Sequence, residues 1–157
     1  MRHFSCTDTD RFPPTSIEVK NNRHELLFVG NSRGIFRKIL KDLLPTEFDF
    51  AVYGEHSLEN IPQQYLKNTY LPNEKLYQYY GSADILLNDH WDDMKSKGFI
   101  SNRIYDGHAA GAFIIYDKVE YMEDLENYIV TYKSKEELNE LINYYLKYPD
   151  ERKQIYK

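Results

Sequence analysis

Apolar positions along the chain fall into two alternating patterns. Short apolar runs, as expected of strands buried on both faces, occur at residues 26–29, 85–87 and 112–116, and at 48–53 with Asp49 as the one interruption. Between them run stripes with the helical period. Ile35, Phe36, Ile39, Leu40, Leu43 and Leu44 form one apolar stripe that Pro45 closes. Pro72-Asn73 starts a helix through Tyr80 with Leu76, Tyr77 and Tyr80 inward. Ser101 is placed to cap a short helix that stops at Gly111. Ser134 with Glu137 three residues later is a capping-box signature, and the helix it begins buries Leu138, Leu141, Ile142 and Tyr145. Pro149 ends that helix, and the charged tail 150–157 reads as a further helix cut short. Weaker strands are expected within 65–71 and at 128–132.

Strands alternating with helices predict an α/β fold. The expectation is a Rossmann-like open, mainly parallel sheet of about six strands with helices on both faces. No internal repeat is visible. Residues 1–24 carry neither period, and the run Thr7-Asp8-Thr9-Asp10-Arg11-Phe12-Pro13-Pro14 reads as a proline-stiffened connector. The folded domain is expected over 25–157. In open sheets of this kind ligands sit beyond the carboxyl ends of the strands. The polar, glycine-marked segments fall there: Gly30 to Arg33, Tyr53-Gly54, Leu71 to Asn73, Asn88 to Asp93, and the approach to Arg103.

Composition narrows the function. The 157 residues fit one domain, and 20 Lys plus Arg against 25 Asp plus Glu leave a net charge of −5. That balance argues against nucleic acid as a partner, since a nucleic-acid binder needs excess positive charge along one face. No apolar run approaches the roughly 20 residues of a membrane span. Met1-Arg2-His3-Phe4 is not followed by a secretory apolar core, so a cytoplasmic location is expected. The single Cys6 forms no internal disulfide and lacks the histidine context of a nucleophile. The 15 tyrosines recur near helix ends, where a ring packs while its hydroxyl stays wet.

Candidate chemistry lies in two of these loops and on the capped helix. Gly30-Asn31-Ser32-Arg33 joins a buried strand to a helix start, a geometry that offers backbone N–H groups to a phosphate. It is neither a G-x-G-x-x-G nor a P-loop. Arg33, Arg37 and Lys41 follow at i+4 as a basic stripe; a solvated face explains Lys41, and for Arg33 diphosphate binding stands beside that reading. Asn88-Asp89-His90-Trp91-Asp92-Asp93 holds ligand-type residues without a second histidine at i+4, so turn chemistry outweighs a metal site. Asn88 or His90 is instead expected to make a polar contact with a sugar or phosphate. On the capped helix Arg103 and Asp106 share a face, one cation for an anion and one carboxylate for adjacent hydroxyls. Asp106 could equally pair with Arg103 alone. His108 reads as a packed helix residue.

In their order, these segments resemble the C-terminal, donor-binding half of a group-one glycosyltransferase of the two-domain GT-B fold, closest to the spore-coat maturation glycosyltransferase-like family. The matching segments are Thr7-Asp8 with Arg11-Phe12-Pro13, Leu27 to Gly34, Ala51 to Gly54, Tyr70 to Leu76, Leu86 to Met94, and Gly98 to Asp106 with Ala110-Gly111-Ala112. The resemblance implies a metal-independent transferase whose partner is a nucleotide-diphospho-sugar, with no further cofactor. The acceptor would be held mostly by an N-terminal domain, in cis or in trans, and this chain is expected to be the donor half alone. Carried over by position, Asn31 and Arg33 would meet the diphosphate, with Ser32, Tyr53 and Gly54 as further donor-binding residues beside them. Leu71 and Asn73 meet the base, and Asn102, Arg103 and Asp106 approach the phosphate and ribose. Two departures stand out. Asp106 replaces the usual glutamate and is one methylene shorter, and Ser96-Lys97-Gly98-Phe99 stands where many relatives place a glutamate for the sugar. Asn88, His90 or Lys97 could substitute. The alternative from the same residues is a non-catalytic nucleotide-binding or partner-docking module.

Overall fold

A computed structural model of the chain describes residues 23–56, 59–119 and 129–155. The connector expected over 1–24 lies, but for Arg23 and His24, outside the described residues, as does Tyr128. Six strands, β1 (Leu26–Val29), β2 (Phe50–Tyr53), β3 (Leu66–Asn68), β4 (Ile85–Asn88), β5 (Ile114–Asp117) and β6 (Val130–Tyr132), form one sheet in the order 3-2-1-4-5-6. Every pairing is parallel. The α/β, Rossmann-like expectation therefore holds, with a fully parallel sheet.

Parallel strands covered on both faces explain why the apolar runs are continuous rather than alternating. Successive side chains point to opposite faces. Leu26 and Phe28, Phe50 and Val52, Ile85 and Leu87 pack on one side beneath α1 (Lys38–Leu43) and α5 (Lys135–Lys147). Leu27, Ala51, Leu86, Ile114 and Tyr116 pack on the other beneath α2 (Leu76–Ser82) and α4 (Asn102–Ala109). Gly107 keeps α4 close to this second face, because a Cβ there would lie 2.7 Å from Ile114 Cδ1 and 2.9 Å from Leu86 Cδ2. Among the described residues no helix is long and apolar enough to cross a membrane.

The caps follow the sequence. Ser101 Oγ accepts from the Arg103 N–H, and α4 ends at Ala110 with Gly111 at φ 78. Glu137 N–H donates to Ser134 Oγ at 3.2 Å, while the Glu137 carboxylate takes the Lys133 N–H at 2.8 Å. The tail forms α6 (Pro149–Gln154), with proline at its first position. Two local expectations fail. The stretch after His90 is not all loop, because Asp92–Ser96 forms α3 with Asp92 and Asp93 in its first turn, where carboxylates meet the positive end of the helix. The first helical stripe is also shorter than its apolar spacing implies. Arg33 and Gly34 adopt φ 49 and 78, so helix α1 begins only at Lys38 and leaves Ile35 59% exposed.

Candidate functional site

The strand order reverses between β1 and β4, and a cleft of about 840 Å³ opens at the carboxyl ends of these strands. The β1 end contributes Gly30, Asn31 and Arg33; the β2 end contributes Tyr53 and Gly54; Leu71 and Asn73 follow β3. The opposite wall is the start of α4, with Asn102, Arg103 and Asp106. Nine of the twelve sequence-derived candidates thus converge on one cavity, although they come from four separate stretches of chain.

Arg103 ties the two walls together. A Cβ on Gly30 would lie 3.2 Å from Arg103 Nη2 and 3.3 Å from its Cζ, so the guanidinium rests on bare backbone at the end of β1. The Tyr80 hydroxyl, from α2, hydrogen-bonds Arg103; burial pushes it up to about 12, with Asp106 adding to the rise and Arg103 opposing it. Arg103 is therefore oriented by Gly30 and Tyr80, with Asp106 one turn along the same helix. The amino end of α4, capped by Ser101, lines the cleft and adds the positive end of the helix dipole.

The β1–α1 turn differs from its sequence reading. Its amides are largely committed within the protein: Gly30 N–H to the Tyr53 carbonyl at 2.9 Å, Ser32 N–H to the Glu55 carbonyl at 2.8 Å, and Gly34 N–H to Ser32 Oγ at 3.2 Å. Asn31 Oδ1 accepts from the Glu55 N–H at 3.0 Å, bracing the β1 end against the β2 end. Ser32 does not line the cleft. Because α1 starts at Lys38, its amino end does not coincide with this turn. What the turn offers the cleft is the side chain of Arg33.

Asn88, His90 and Lys97 need a different correction. Asn88 and His90 are buried and lie off the cleft wall. The carboxylate of Asp117, at the end of β5, takes His90 N–H at 3.1 Å and Nδ1 at 2.8 Å, and pairs with Lys95 on its other oxygen. These partners hold the Asp117 carboxyl below its ordinary value despite burial, so it accepts and His90 Nδ1 carries the proton. His90 thus joins β4 to β5. Lys97 is the exposed C-cap of α3 and does not reach the cleft either.

Arg37, placed by spacing on a solvated stripe, is instead 3% exposed. Its guanidinium pairs with the buried Asp89 carboxylate and donates to the Asp89 carbonyl at 3.0 Å and the Asn31 carbonyl at 3.4 Å. The loop after β4 is thereby joined to the turn after β1. Trp91, which lines the cleft, lies against Arg37 and Arg33. Sequence reasoning missed Tyr80, Asp89 and Trp91 as site residues. An aromatic residue just beyond a strand end was the available signal for Trp91; nothing in the sequence marked Asp89 as the partner of Arg37, 52 residues away.

His108, on α4, is a packed residue, as its spacing implies. Burial lowers its imidazole from 6.5 to about 4. The native state keeps it neutral at a pH where the unfolded chain takes up a proton. Its contribution is fully present above pH 6.5 and is lost as pH falls through about 4, on the order of 3 kcal/mol in all. Desolvation also lowers His56, which adds in the same direction. Urea unfolding at pH 7 and pH 4.5 should show a smaller loss for His108→Gln than for the parent. Equal losses in the two would exclude His108 as the source.

A parallel six-stranded sheet with a cation-bearing cleft at its switch point defines a Rossmann-like α/β domain. Residues 24–157 match the family model described as glycosyl transferase-like, and the chain belongs to that family. No curated protein matches it.

Proposed function

We propose that this domain binds a nucleotide-diphospho-sugar and supplies the donor side of a GT-B-type glycosyltransferase site, of the spore-coat maturation glycosyltransferase-like kind. The observation that carries this reading is the Arg103–Asp106 pair on α4, with Arg103 resting on Gly30 at the switch point. Arg103, Arg33 and the amino end of α4 face the diphosphate. Asp106 accepts hydrogen bonds from the ribose hydroxyls, and Leu71 and Asn73 border the base.

In the transfer, the bond between the anomeric carbon and the diphosphate oxygen breaks as the acceptor oxygen bonds that carbon. The nucleoside diphosphate leaves with the electron pair, and the proton of the acceptor hydroxyl passes to the departing phosphate oxygen or to solvent. Cations already oriented toward the developing charge stabilise that departure. In this reading the two arginines and the amino end of α4 supply the charge compensation. An acceptor-binding domain, in cis or in trans, would complete the cleft. Orienting both reactants in one closed site is worth roughly 7–11 kcal/mol, so residues 24–157 alone should bind donor and transfer poorly.

A second reading, a nucleotide-sensing or docking module, draws on the absence of His90 and Lys97 from the cleft wall. Thermal melts with a panel of nucleoside diphosphates and their sugars test binding. The cognate ligand, at about a hundredfold over its Kd, should raise Tm by roughly 5–10 °C. Arg103→Ala and Asp106→Ala should each remove most of that shift. If no nucleotide moved Tm, or both variants responded like the parent, the donor-site assignment would fail. Binding without transfer, after an acceptor domain is supplied, would favour the second reading.

A further inference from the structure

Arg33 sits on a left-handed turn and is exposed, so its backbone does little to fix where its guanidinium points. Among the described residues, the contact that holds it is the Trp91 ring, whose centroid lies 5.2 Å from Arg33 Cζ. Arg37 Cζ lies 4.1 Å from the same centroid. Arg37 is itself locked by the Asp89 carboxylate and by the Asp89 and Asn31 carbonyls, while Asp89 Oδ2 also takes the Ile39 N–H at 3.4 Å. Because Asp89 balances the charge of Arg37, the ring can lie near two guanidinium groups while carrying only one uncompensated cation. That remaining cation is the one beside the cleft.

We propose that Trp91 is a positioning residue: its ring, fixed by the buried Arg37–Asp89 pair, aims the Arg33 guanidinium at the anionic group of the bound ligand. This rests on the reading of the cleft as a diphosphate site. The attraction is that of a cation for a π face, and the gain is preorganisation: the arginine is ordered before the ligand arrives. The Arg37–Asp89 pair, itself at the cleft wall, thereby acts through the indole: it sets the ring, and the ring sets Arg33.

Trp91 is the only tryptophan, so its emission reports on this ring. In ligand-free protein Arg33→Ala should shift that emission, whereas Lys41→Ala, elsewhere on the same basic stripe, should leave it unchanged. Calorimetric titration with inorganic diphosphate then compares the parent, Arg33→Ala, Trp91→Leu, Trp91→Phe and the Arg33→Ala/Trp91→Leu double variant. Trp91→Leu should weaken binding about tenfold, Trp91→Phe should restore most of it, and the double variant should bind no worse than Arg33→Ala. A purely structural role for the ring would lower Tm and weaken binding equally in both Arg33 backgrounds. Additive losses, no recovery with Trp91→Phe, or unchanged emission in Arg33→Ala would each overturn the proposal. If those losses were additive while the parent bound diphosphate, only this inference would fall. If the parent bound no diphosphate, the donor reading would fall and this proposal with it.

Discussion

Arg37→Ala is expected to cost about 3–5 kcal/mol of unfolding free energy, because it leaves a buried carboxylate without its counter-charge. Asp89 is as fully enclosed as Arg37, with side-chain exposures of 1% and 3%. The substitution also strips donors from the Asp89 and Asn31 carbonyls. Against a typical domain stability of about 5–15 kcal/mol, that is a large fraction. Urea unfolding should show the midpoint falling with little change in slope. Arg37→Met combined with Asp89→Asn should recover much of the loss, since the orphaned charge, not the missing pair, dominates the penalty, and the Asn amide oxygen can still take the Ile39 N–H. If Arg37→Ala lost less than about 1 kcal/mol, water would have to reach Asp89 and the buried-pair account would be wrong.

Gly54→Ala should be comparably damaging for a different reason. Gly54 has φ 128, and a Cβ there would lie 2.3 Å from the Gly30 carbonyl oxygen and 2.7 Å from its carbon. Both atoms are backbone, so neither can swing aside as a side chain would. The conformational strain alone is about 1–3 kcal/mol, and displacing the end of β1 adds to it. Moving Gly30 also moves the surface on which Arg103 rests, so the variant should lose nucleotide-dependent stabilisation along with Tm. Gly34→Ala is the control: its φ is 78 but nothing lies within 4 Å of the added Cβ. Equal destabilisation of the two variants would show that strain, not the contact with Gly30, sets the cost.

The elements were legible where burial leaves a local trace. Leu26, Leu27 and Phe28 are all buried because helices cover both faces, and an unbroken run records that directly. Ser101, Gly111 and Ser134 marked helix ends because the hydrogen bond or backbone angle each supplies depends on immediate neighbours. Arg103 and Asp106 shared a face for the same reason. Arg37 did not follow its spacing, because the turn at Arg33 and Gly34 delays the helix and Asp89, 52 residues away, takes the guanidinium inward. His90 was misplaced for a similar cause: its partner Asp117 lies 27 residues on, across a strand pairing.

The amino-acid sequence by itself determined the six strands and most of the helices, with α3 and the start of α1 the exceptions, and which polar loops lie at strand ends. Each of those depends on side-chain periodicity and on backbone preferences a few residues long. Only the tertiary structure decided the strand order that puts β1 beside β4, and with it which polar side chains are taken up in buried pairs. Asn31, Arg33, Arg103 and Asp106 border the cavity because two distant strand ends meet there. Asp89 and His90, equally polar on paper, are spent joining β1 to β4 and β4 to β5. A buried charge needs its counter-charge within a few ångströms, and the fold alone settles which residue stands there.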